Sequence, residues 1–397
     1  MLRMGVPVAT PVEFKDLSAG FKALCVPNGV VESFSEQVRL FTKASQVYAV
    51  NSGRASLYIT FRVLAGQSER KNIIIPAFIC PSVAKAIVKA GLNVILCDIR
   101  GDDFGIDPDA LEKLLTFNPL AVVATHLFGY PSDLSAIIKI ASRNGIVVVE
   151  DAAQSFGAEW NSQPVGALTS VSIFSFGMSK ALSTMGGGLI AVNDKILAEN
   201  FGAFFDGLPH PGRGSQLVGL SKIAALSVLS RSQHLGPLMY IWKKYFQRSS
   251  DLDDFDLARY SSAQAAIAVR LMERFKEIID SRRTIALQLE KGLRGLPGIS
   301  VPQIPPESSP VYLRFPVVVE DVTVREQLVK RLSQNGINVS QMYDMRSFEA
   351  VRCVASSRSR YPVTEYLCRR MVNLPTHAYL TERDISTMIE TFHRVLS

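Results

Sequence analysis

One stretch of the sequence, residues 147–188, constrains the fold more than any other part of the chain. An apolar run at 146–149 leads directly into two adjacent acids, Glu150 and Asp151, as a buried strand would. A second apolar run, at 171–176, is followed by Lys180 and then by three glycines. Because open α/β sheets bind ligands at the carboxyl ends of their strands, we expect Asp151 and Lys180 to meet at one sheet edge.

An acid and an amine placed in this way are the two groups that pyridoxal-phosphate chemistry requires. The cofactor withdraws electrons only while its ring nitrogen stays protonated, and a carboxylate such as Asp151 keeps it so. An amine such as Lys180 can form a Schiff base with the cofactor and later carry protons. Glu150 should point to the opposite face of the strand, because side chains alternate.

The same residues carry a resemblance to a known family. EDAAQ at 150–154, followed by FSF-x-x-x-K-x-L-x-x-x-GGG at 174–188, resembles the sugar aminotransferases of the DegT/StrS type. These are pyridoxal-phosphate enzymes with the aspartate aminotransferase fold, known as fold type I. The likeness extends from about residue 47 to 396, apart from 199–256.

The remaining pattern agrees with an α/β fold. Strand-like runs at 72–76 and 94–97 flank a helix at 81–90, and a further strand at 121–125 precedes a helix at 133–144. Such strand–helix–strand units form parallel sheets.

The resemblance also implies how the chain divides into domains. We expect a large domain at 1–258, with a mostly parallel seven-stranded sheet flanked by helices. An atypical apolar insertion lies at about 201–256, and a smaller α+β domain follows at 259–397.

A phosphate site is expected where the strand near residue 50 leads into a helix. Ser52 and Gly53 lie at this junction, where backbone N–H groups and the helix dipole favour an anion. The family binds the cofactor phosphate here and with a serine that corresponds to Ser175. Arg54 replaces the family's threonine; it either supplies a fork of donors to the phosphate or lies on the helix surface.

Other cofactor contacts follow from the resemblance alone. Gln154 corresponds to a residue that bonds the cofactor's phenolic oxygen. The aromatic residue that stacks on the ring in the family aligns with Cys80, whereas Phe78 lies two positions earlier. Either residue could cover the ring, and Phe78 could instead belong to the core. His126 is expected beside the site without a chemical role of its own.

Two regions depart from the family. In the family, an asparagine reaches the cofactor phosphate of the neighbouring subunit. Leu257 occupies its position here, so Arg54 or Arg259 would have to supply the missing hydrogen-bond donor. Residues 217–246 are apolar, but polar interruptions argue against a membrane span. This stretch could cover the partner subunit, shape the substrate entrance or lie on a membrane surface. Tyr343, in QMYD, falls where the family contacts substrate.

Composition excludes several other classes of protein. The net charge is +7, but basic residues are scattered and no nucleic-acid-binding motif accompanies them. The five cysteines lack metal-binding spacing and indicate reduced thiols in the cytoplasm. The first residues have no secretory pattern. We therefore expect a cytoplasmic enzyme without a metal site.

The resemblance predicts amino transfer. An amino acid, by family precedent glutamate, would convert the cofactor to pyridoxamine phosphate, and a keto-sugar linked to a nucleotide would then accept the amine in polysaccharide or glycoconjugate biosynthesis. A homodimer is implied. Alternatives are a pyridoxal-phosphate sugar dehydratase, an aminotransferase for a lipid-linked or non-sugar ketone, and a non-catalytic regulatory homologue. Family members that dehydrate sugars replace the lysine by histidine, so the presence of Lys180 favours amino transfer.

Overall fold

The description of the fold rests on a computed structural model that describes residues 10–27, 29–231, 255–356 and 359–397. Its strands are, in chain order, β1 (Gln46–Val50), β2 (Asn72–Pro76), β3 (Asn93–Cys97), β4 (Pro119–Thr125), β5 (Val147–Asp151), β6 (Glu159–Trp160), β7 (Gln163–Pro164), β8 (Val171–Ser175), β9 (Gly188–Val192), β10 (Ile299–Ser300), β11 (Ser308–Ser309), β12 (Phe315–Val319) and β13 (Met371–Leu374).

The helices of the described residues are, in chain order, α1 (Phe14–Cys25), α2 (Val30–Thr42), α3 (Gly53–Ala65), α4 (Pro81–Lys89), α5 (Pro108–Leu114), α6 (Ser135–Arg143), α7 (Lys195–Asp206), α8 (Arg213–Arg231), α9 (Ser262–Glu273), α10 (Phe275–Leu293), α11 (Val322–Gln334), α12 (Met345–Arg352), α13 (Pro362–Arg370) and α14 (Glu382–Leu396). A short 3₁₀ helix, Leu115–Phe117, extends α5.

The central sheet has seven strands in the order β1-β9-β8-β5-β4-β2-β3. Its inner strands pair in parallel, and β9 runs antiparallel to both of its neighbours. A small antiparallel sheet, β10-β12-β13, lies in the C-terminal part of the chain with α11 and α14. The predicted α/β fold with a mostly parallel seven-stranded sheet is confirmed.

Helices cover both faces of the sheet, which explains why its strands are apolar throughout. In β2, Ile73 and Ile75 pack with residues of α3 and α4, whereas Ile74 packs on the other face with residues of α5 and α6. All three side chains are fully buried. A strand that is covered on both faces loses the apolar and polar alternation of a half-exposed strand.

The edge where the parallel strands end is the place where polar side chains collect. Strands β4, β5 and β8 end at Thr125, Asp151 and Ser175, and they are neighbours in the sheet. The first strand, β1, runs in the same direction and leads into α3. The carboxyl ends of four strands therefore surround one region.

The predicted insertion at about 201–256 is described only in part. Helix α8 contains the beginning of the apolar stretch predicted at 217–246, and it packs against α1 and α9. Residues 232–246 lie outside the described residues. Within the described ranges, none of the helices combines the length and the hydropathy that crossing a membrane requires. The division at residue 258 stays a prediction; α9, just after it, packs on α1 and α2.

Candidate active site

A cleft of about 390 Å³ opens at this carboxyl edge. It is lined by the predicted site residues with the exception of Phe78, and also by residues that were not in the predicted set. The predicted residues in its wall are Ser52, Gly53, Arg54, Cys80, Asp151, Gln154, Ser175 and Lys180. Residues separated by more than a hundred positions in sequence thus share one wall because their strands end side by side.

Asp151 and Lys180 face this cleft together. Asp151 ends β5, and its Oδ1 accepts a hydrogen bond from the Ala153 N–H at 3.0 Å. Burial raises the pKa of Asp151, while the Ala153 N–H and the nearby Lys180 and His126 act in the opposite direction. Burial lowers the pKa of Lys180, against the attraction of Asp151. The two side chains therefore lie in the wall of one cleft, and the charge of each affects the pKa of the other.

The end of the cleft at the start of α3 has the form of an anion site. The Ser52 side chain caps α3 by accepting from the Ala55 N–H at 3.1 Å, and Ser175 lies opposite. A Cβ atom on Gly53 would come within 2.8 Å of the Ser175 Cβ and Oγ. Gly53 therefore lets the helix N-terminus and Ser175 approach one another, as a site for an anion would require.

The triple glycine continues this close packing. Ser52 forms a parallel bridge with Gly187, whose φ of +103° is unfavourable for other residues. A Cβ on Gly188 would lie 2.3 Å from the Ser52 carbonyl oxygen. Gly188 is thus explained by its contact with Ser52, whereas a Cβ on Gly187 would meet the Tyr260 ring at 2.4 Å and one on Gly186 would meet the Gln264 Nε2 at 2.9 Å.

The two arginines considered as phosphate donors occupy different places. Arg54 lines the cleft, and its guanidinium lies 5.6 Å from the centre of the Phe255 ring. Arg259 turns away: it donates to the Asp206 carbonyl oxygen at 3.3 Å and packs over Phe205. Of the two, the structure brings only Arg54 to the cleft.

Gln154 joins the cleft to a residue from the C-terminal part of the chain. Its Oε1 accepts from the Phe128 N–H at 3.0 Å, and its Nε2 donates to the Tyr343 hydroxyl at 2.6 Å. Tyr343 lines the cleft. The sequence predicts it, through QMYD, as a substrate contact, although not as a residue that binds the cofactor.

The assignment of Phe78 as a cofactor-binding residue is corrected by the structure. The chain bends at residues 77–79, directly after β2, so strand alternation does not relate Phe78 to Cys80. Phe78 is fully buried, and its ring packs edge-on against Tyr343 with the centroids 5.5 Å apart. Phe78 therefore supports Tyr343 from the core, whereas Cys80 lines the cleft.

His126 and Glu150 form a buried pair below the cleft. The His126 Nδ1 accepts from the Ser132 N–H at 2.9 Å, so its Nε2 carries the hydrogen and donates to the Glu150 Oε1 at 3.0 Å. The same oxygen accepts from the Gly166 N–H, and the hydroxyls of Thr169 and Ser172 lie near Oε2. Glu150 thereby holds the imidazole of His126 in one orientation against the cleft.

Replacing Glu150 with alanine should lower the free energy of unfolding by about 3–5 kcal/mol, because buried donors lose their acceptor and a cavity remains. Glu150→Gln keeps one oxygen for Gly166 and His126 and should cost only about 1–2 kcal/mol. Denaturant titration measures both. The exposed Glu159→Ala is the control and should change stability by less than about 0.5 kcal/mol. Equal stability of the alanine variant and the parent protein would contradict this role.

Among the described residues, no group of His, Cys, Asp and Glu side chains could hold a metal ion.

Comparison with known proteins places the chain in a family. The model of the DegT/DnrJ/EryC1/StrS aminotransferase family matches residues 26–210 and 256–393. The gap between these ranges falls within the predicted insertion. Relatives include dTDP-3-amino-3,4,6-trideoxy-alpha-D-glucose transaminase of Streptomyces venezuelae, 26% identical over 353 residues, which covers 88% of this chain and 83% of the relative.

A second relative is GDP-perosamine synthase of Caulobacter vibrioides, 26% identical over 383 residues, with 94% of this chain and 93% of the relative covered. The fold is also that of Spr1654 of Streptococcus pneumoniae, solved in a PLP form, with a TM-score of 0.80, 18% identity, and coverage of 99% of this chain and 98% of the other. Because the family model matches most of the sequence, the chain belongs to the DegT/DnrJ/EryC1/StrS aminotransferase family.

Proposed function

We propose that this aminotransferase uses pyridoxal phosphate to move an amino group from an amino acid, glutamate, to a keto-sugar linked to a nucleotide. The observation that carries the proposal is the meeting of Asp151 and Lys180 in one cleft that has an anion site at its end. The two relatives named above carry the names of a dTDP-sugar transaminase and a GDP-perosamine synthase. These names support a nucleotide sugar as the class of amine acceptor and glycan biosynthesis as the setting.

The residues of the cleft fit the cofactor by their chemistry. Ser52, Gly53, Arg54 and Ser175 offer backbone, hydroxyl and guanidinium donors where a phosphate would bind. Asp151 is the carboxylate that would keep a ring nitrogen protonated. Gln154 uses Nε2 to reach Tyr343, and this amide nitrogen carries a second hydrogen for the cofactor's phenolic oxygen.

Bound pyridoxal phosphate supplies an electron-withdrawing ring that makes the hydrogen on the substrate's amine-bearing carbon acidic. Lys180 would be the point of covalent attachment and, once released, the base that removes this proton and delivers it to a second carbon, which amino transfer requires. Its lowered pKa leaves more of the amine unprotonated near neutral pH than in an ordinary lysine, as a base requires. His126, held by Glu150, forms part of the wall of the cleft.

A spectroscopic experiment tests the proposal. The purified protein is mixed with pyridoxal phosphate, and its visible absorbance is recorded before and after glutamate is added. We expect glutamate to bleach the absorbance and to yield 2-oxoglutarate, and a nucleotide-linked keto-sugar to restore it. A protein that takes up no cofactor would refute the proposal. A protein that consumes the sugar without glutamate would instead be a dehydratase.

Arg54→Ala should weaken retention of the cofactor by roughly 10–100-fold, because a charge-assisted contact to its phosphate is lost. Equilibrium dialysis against pyridoxal phosphate measures the dissociation constant. Arg259→Ala is the matched control, since Arg259 turns towards Asp206 and away from the cleft. Equal retention by the Arg54 variant and the parent protein would show that the helix N-terminus and the serines suffice.

We also propose that the protein is a homodimer, as the family resemblance implies, and that it works in the cytoplasm, as the cysteine pattern indicates. Large apolar side chains on α1 and α2 support a subunit contact: Phe14, Phe21 and Leu40 are 83%, 59% and 63% exposed. Large exposed apolar side chains mark an interface between chains where they form one continuous surface.

A further inference from the structure

The segment that begins at residue 255 runs beside the anion site at the start of α3, and the proposed chemistry gives it no task. The Asn51 N–H donates to the Ala258 carbonyl oxygen at 3.0 Å, and the Asn51 side chain donates to the Asp256 carbonyl oxygen at 2.8 Å. Asn51 directly precedes Ser52, the cap of α3. These two hydrogen bonds therefore hold the segment next to the strand end from which the anion site is built.

The first side chain of this segment, Phe255, lies among basic residues of α3 and α4. The Arg54 guanidinium lies 5.6 Å from the centre of the Phe255 ring, and the Lys89 Nζ lies 4.3 Å from it. Tyr58, one turn after Arg54 in α3, packs edge-on against the same ring with the centroids 6.0 Å apart. A cation within about 6 Å of a ring centre is attracted to the ring, so Phe255 restrains both basic side chains.

This restraint matters for Arg54 because of the place that it occupies. Arg54 is in the first turn of α3 and lines the cleft together with Ser52 and Gly53. An arginine side chain has many rotamers, and ordering it when a ligand binds reduces the affinity that its charge supplies. An aromatic ring that already holds the guanidinium at the cleft lowers this cost.

We propose that Phe255 is a positioning residue, whose ring holds Arg54 where it can bind the cofactor phosphate. This inference rests on the proposed function, because that function supplies the phosphate. By the family resemblance, an asparagine of the neighbouring subunit would contribute a donor there, and Leu257 occupies its position. Phe255 lies two residues before Leu257 and compensates for this loss through an arginine of its own chain.

The test compares two ligands, pyridoxal phosphate and pyridoxal, which lacks the phosphate. Equilibrium dialysis measures both dissociation constants. We expect Phe255→Leu, which keeps an apolar side chain but removes the ring, to weaken binding of pyridoxal phosphate by about 3–10-fold and to leave pyridoxal unaffected. Phe255→Tyr keeps the ring and should bind both ligands like the parent protein. Phe255→Met, which is also apolar and has no ring, serves where the leucine variant does not fold.

The coupling between Phe255 and Arg54 gives a second measurement. In a protein that already carries Arg54→Ala, adding Phe255→Leu should change the affinity for pyridoxal phosphate by less than about 2-fold, because the group that the ring holds is gone. The matched control is Phe205→Leu, which removes a ring 4.6 Å from the Arg259 guanidinium, outside the cleft. It should leave the affinities for both ligands unchanged.

The inference and the proposed function fail in different ways. An unchanged affinity for pyridoxal phosphate in Phe255→Leu, or equal weakening of both ligands, would overturn the positioning role alone. The same holds if the effect of Phe255→Leu persists in full beside Arg54→Ala. A parent protein that binds no pyridoxal phosphate would overturn the proposed function itself. Weakening that is confined to the phosphate-bearing ligand and depends on Arg54 would support the role of Phe255.

Discussion

Replacing Lys180 with alanine is expected to remove the visible absorbance of the cofactor-loaded protein and to lower turnover by about 10⁴-fold or more. Lys180 would be both the attachment point of the cofactor and the proton carrier, and groups that act as a unit cannot be replaced by the remaining parts of a site. Absorbance after gel filtration and formation of 2-oxoglutarate from glutamate measure the two effects.

The exposed Lys195 at the start of α7 provides the control, because Lys195→Ala removes an amine without touching the cleft. This variant should behave like the parent protein. Retention of both absorbance and turnover by Lys180→Ala would show that another amine carries the cofactor, and the proposed mechanism would then be wrong.

Replacing Asp151 with asparagine should lower turnover by roughly 10²–10³-fold, with a smaller effect on cofactor binding. The amide keeps the size of the side chain and one oxygen for the Ala153 N–H, but it cannot hold a positive charge on the ring nitrogen. Single-turnover bleaching by glutamate measures the chemical step directly. Glu150→Gln changes the neighbouring acid, whose side chain faces Gly166 and His126, and should affect stability more than this step.

The same substitution should change the pH dependence of cofactor uptake. Burial lowers the pKa of Lys180, and the charge of Asp151 partly offsets this by raising it. Uptake of pyridoxal phosphate by the cofactor-free protein should therefore rise with pH as the Lys180 amine loses its proton. It should level off at a pH below about 10.4, the usual pKa of a lysine. Removal of the Asp151 charge lowers the pKa of Lys180 further, so the Asp151→Asn profile should level off at a lower pH. A shift of the Asp151→Asn uptake profile to higher pH would contradict the electrostatic effect of Asp151 on Lys180.

The arrangement of the central motif was predictable because it depends on short-range rules. Asp151 follows a buried strand and Lys180 follows the next parallel strand of the sheet, so both were expected at the carboxyl edge. The anion site at Ser52 and Gly53 followed similarly from a strand that leads into a helix. In each case one turn or one strand end decides the position of the side chain.

Phe78 shows where this reasoning fails. The family resemblance and the sequence could not decide between Phe78 and Cys80, because a bend at residues 77–79 interrupts the alternation of the strand. Packing against Tyr343, which lies far along the chain, decides the orientation of the Phe78 ring. A contact between residues so far apart in the chain does not produce a periodic pattern in the sequence, so it could not be predicted from such a pattern.

The sequence by itself determined the sheet, the edge at which the ligand site lies and the pairing of Asp151 with Lys180, because hydrophobic periodicity and strand ends act over a few residues. Only the tertiary structure showed that the Tyr343 hydroxyl accepts a hydrogen bond from Gln154 and that Arg259 turns away from the cleft. These positions depend on how the C-terminal part of the chain packs against the sheet. Such packing is decided by the summed burial of many side chains and not by any local pattern.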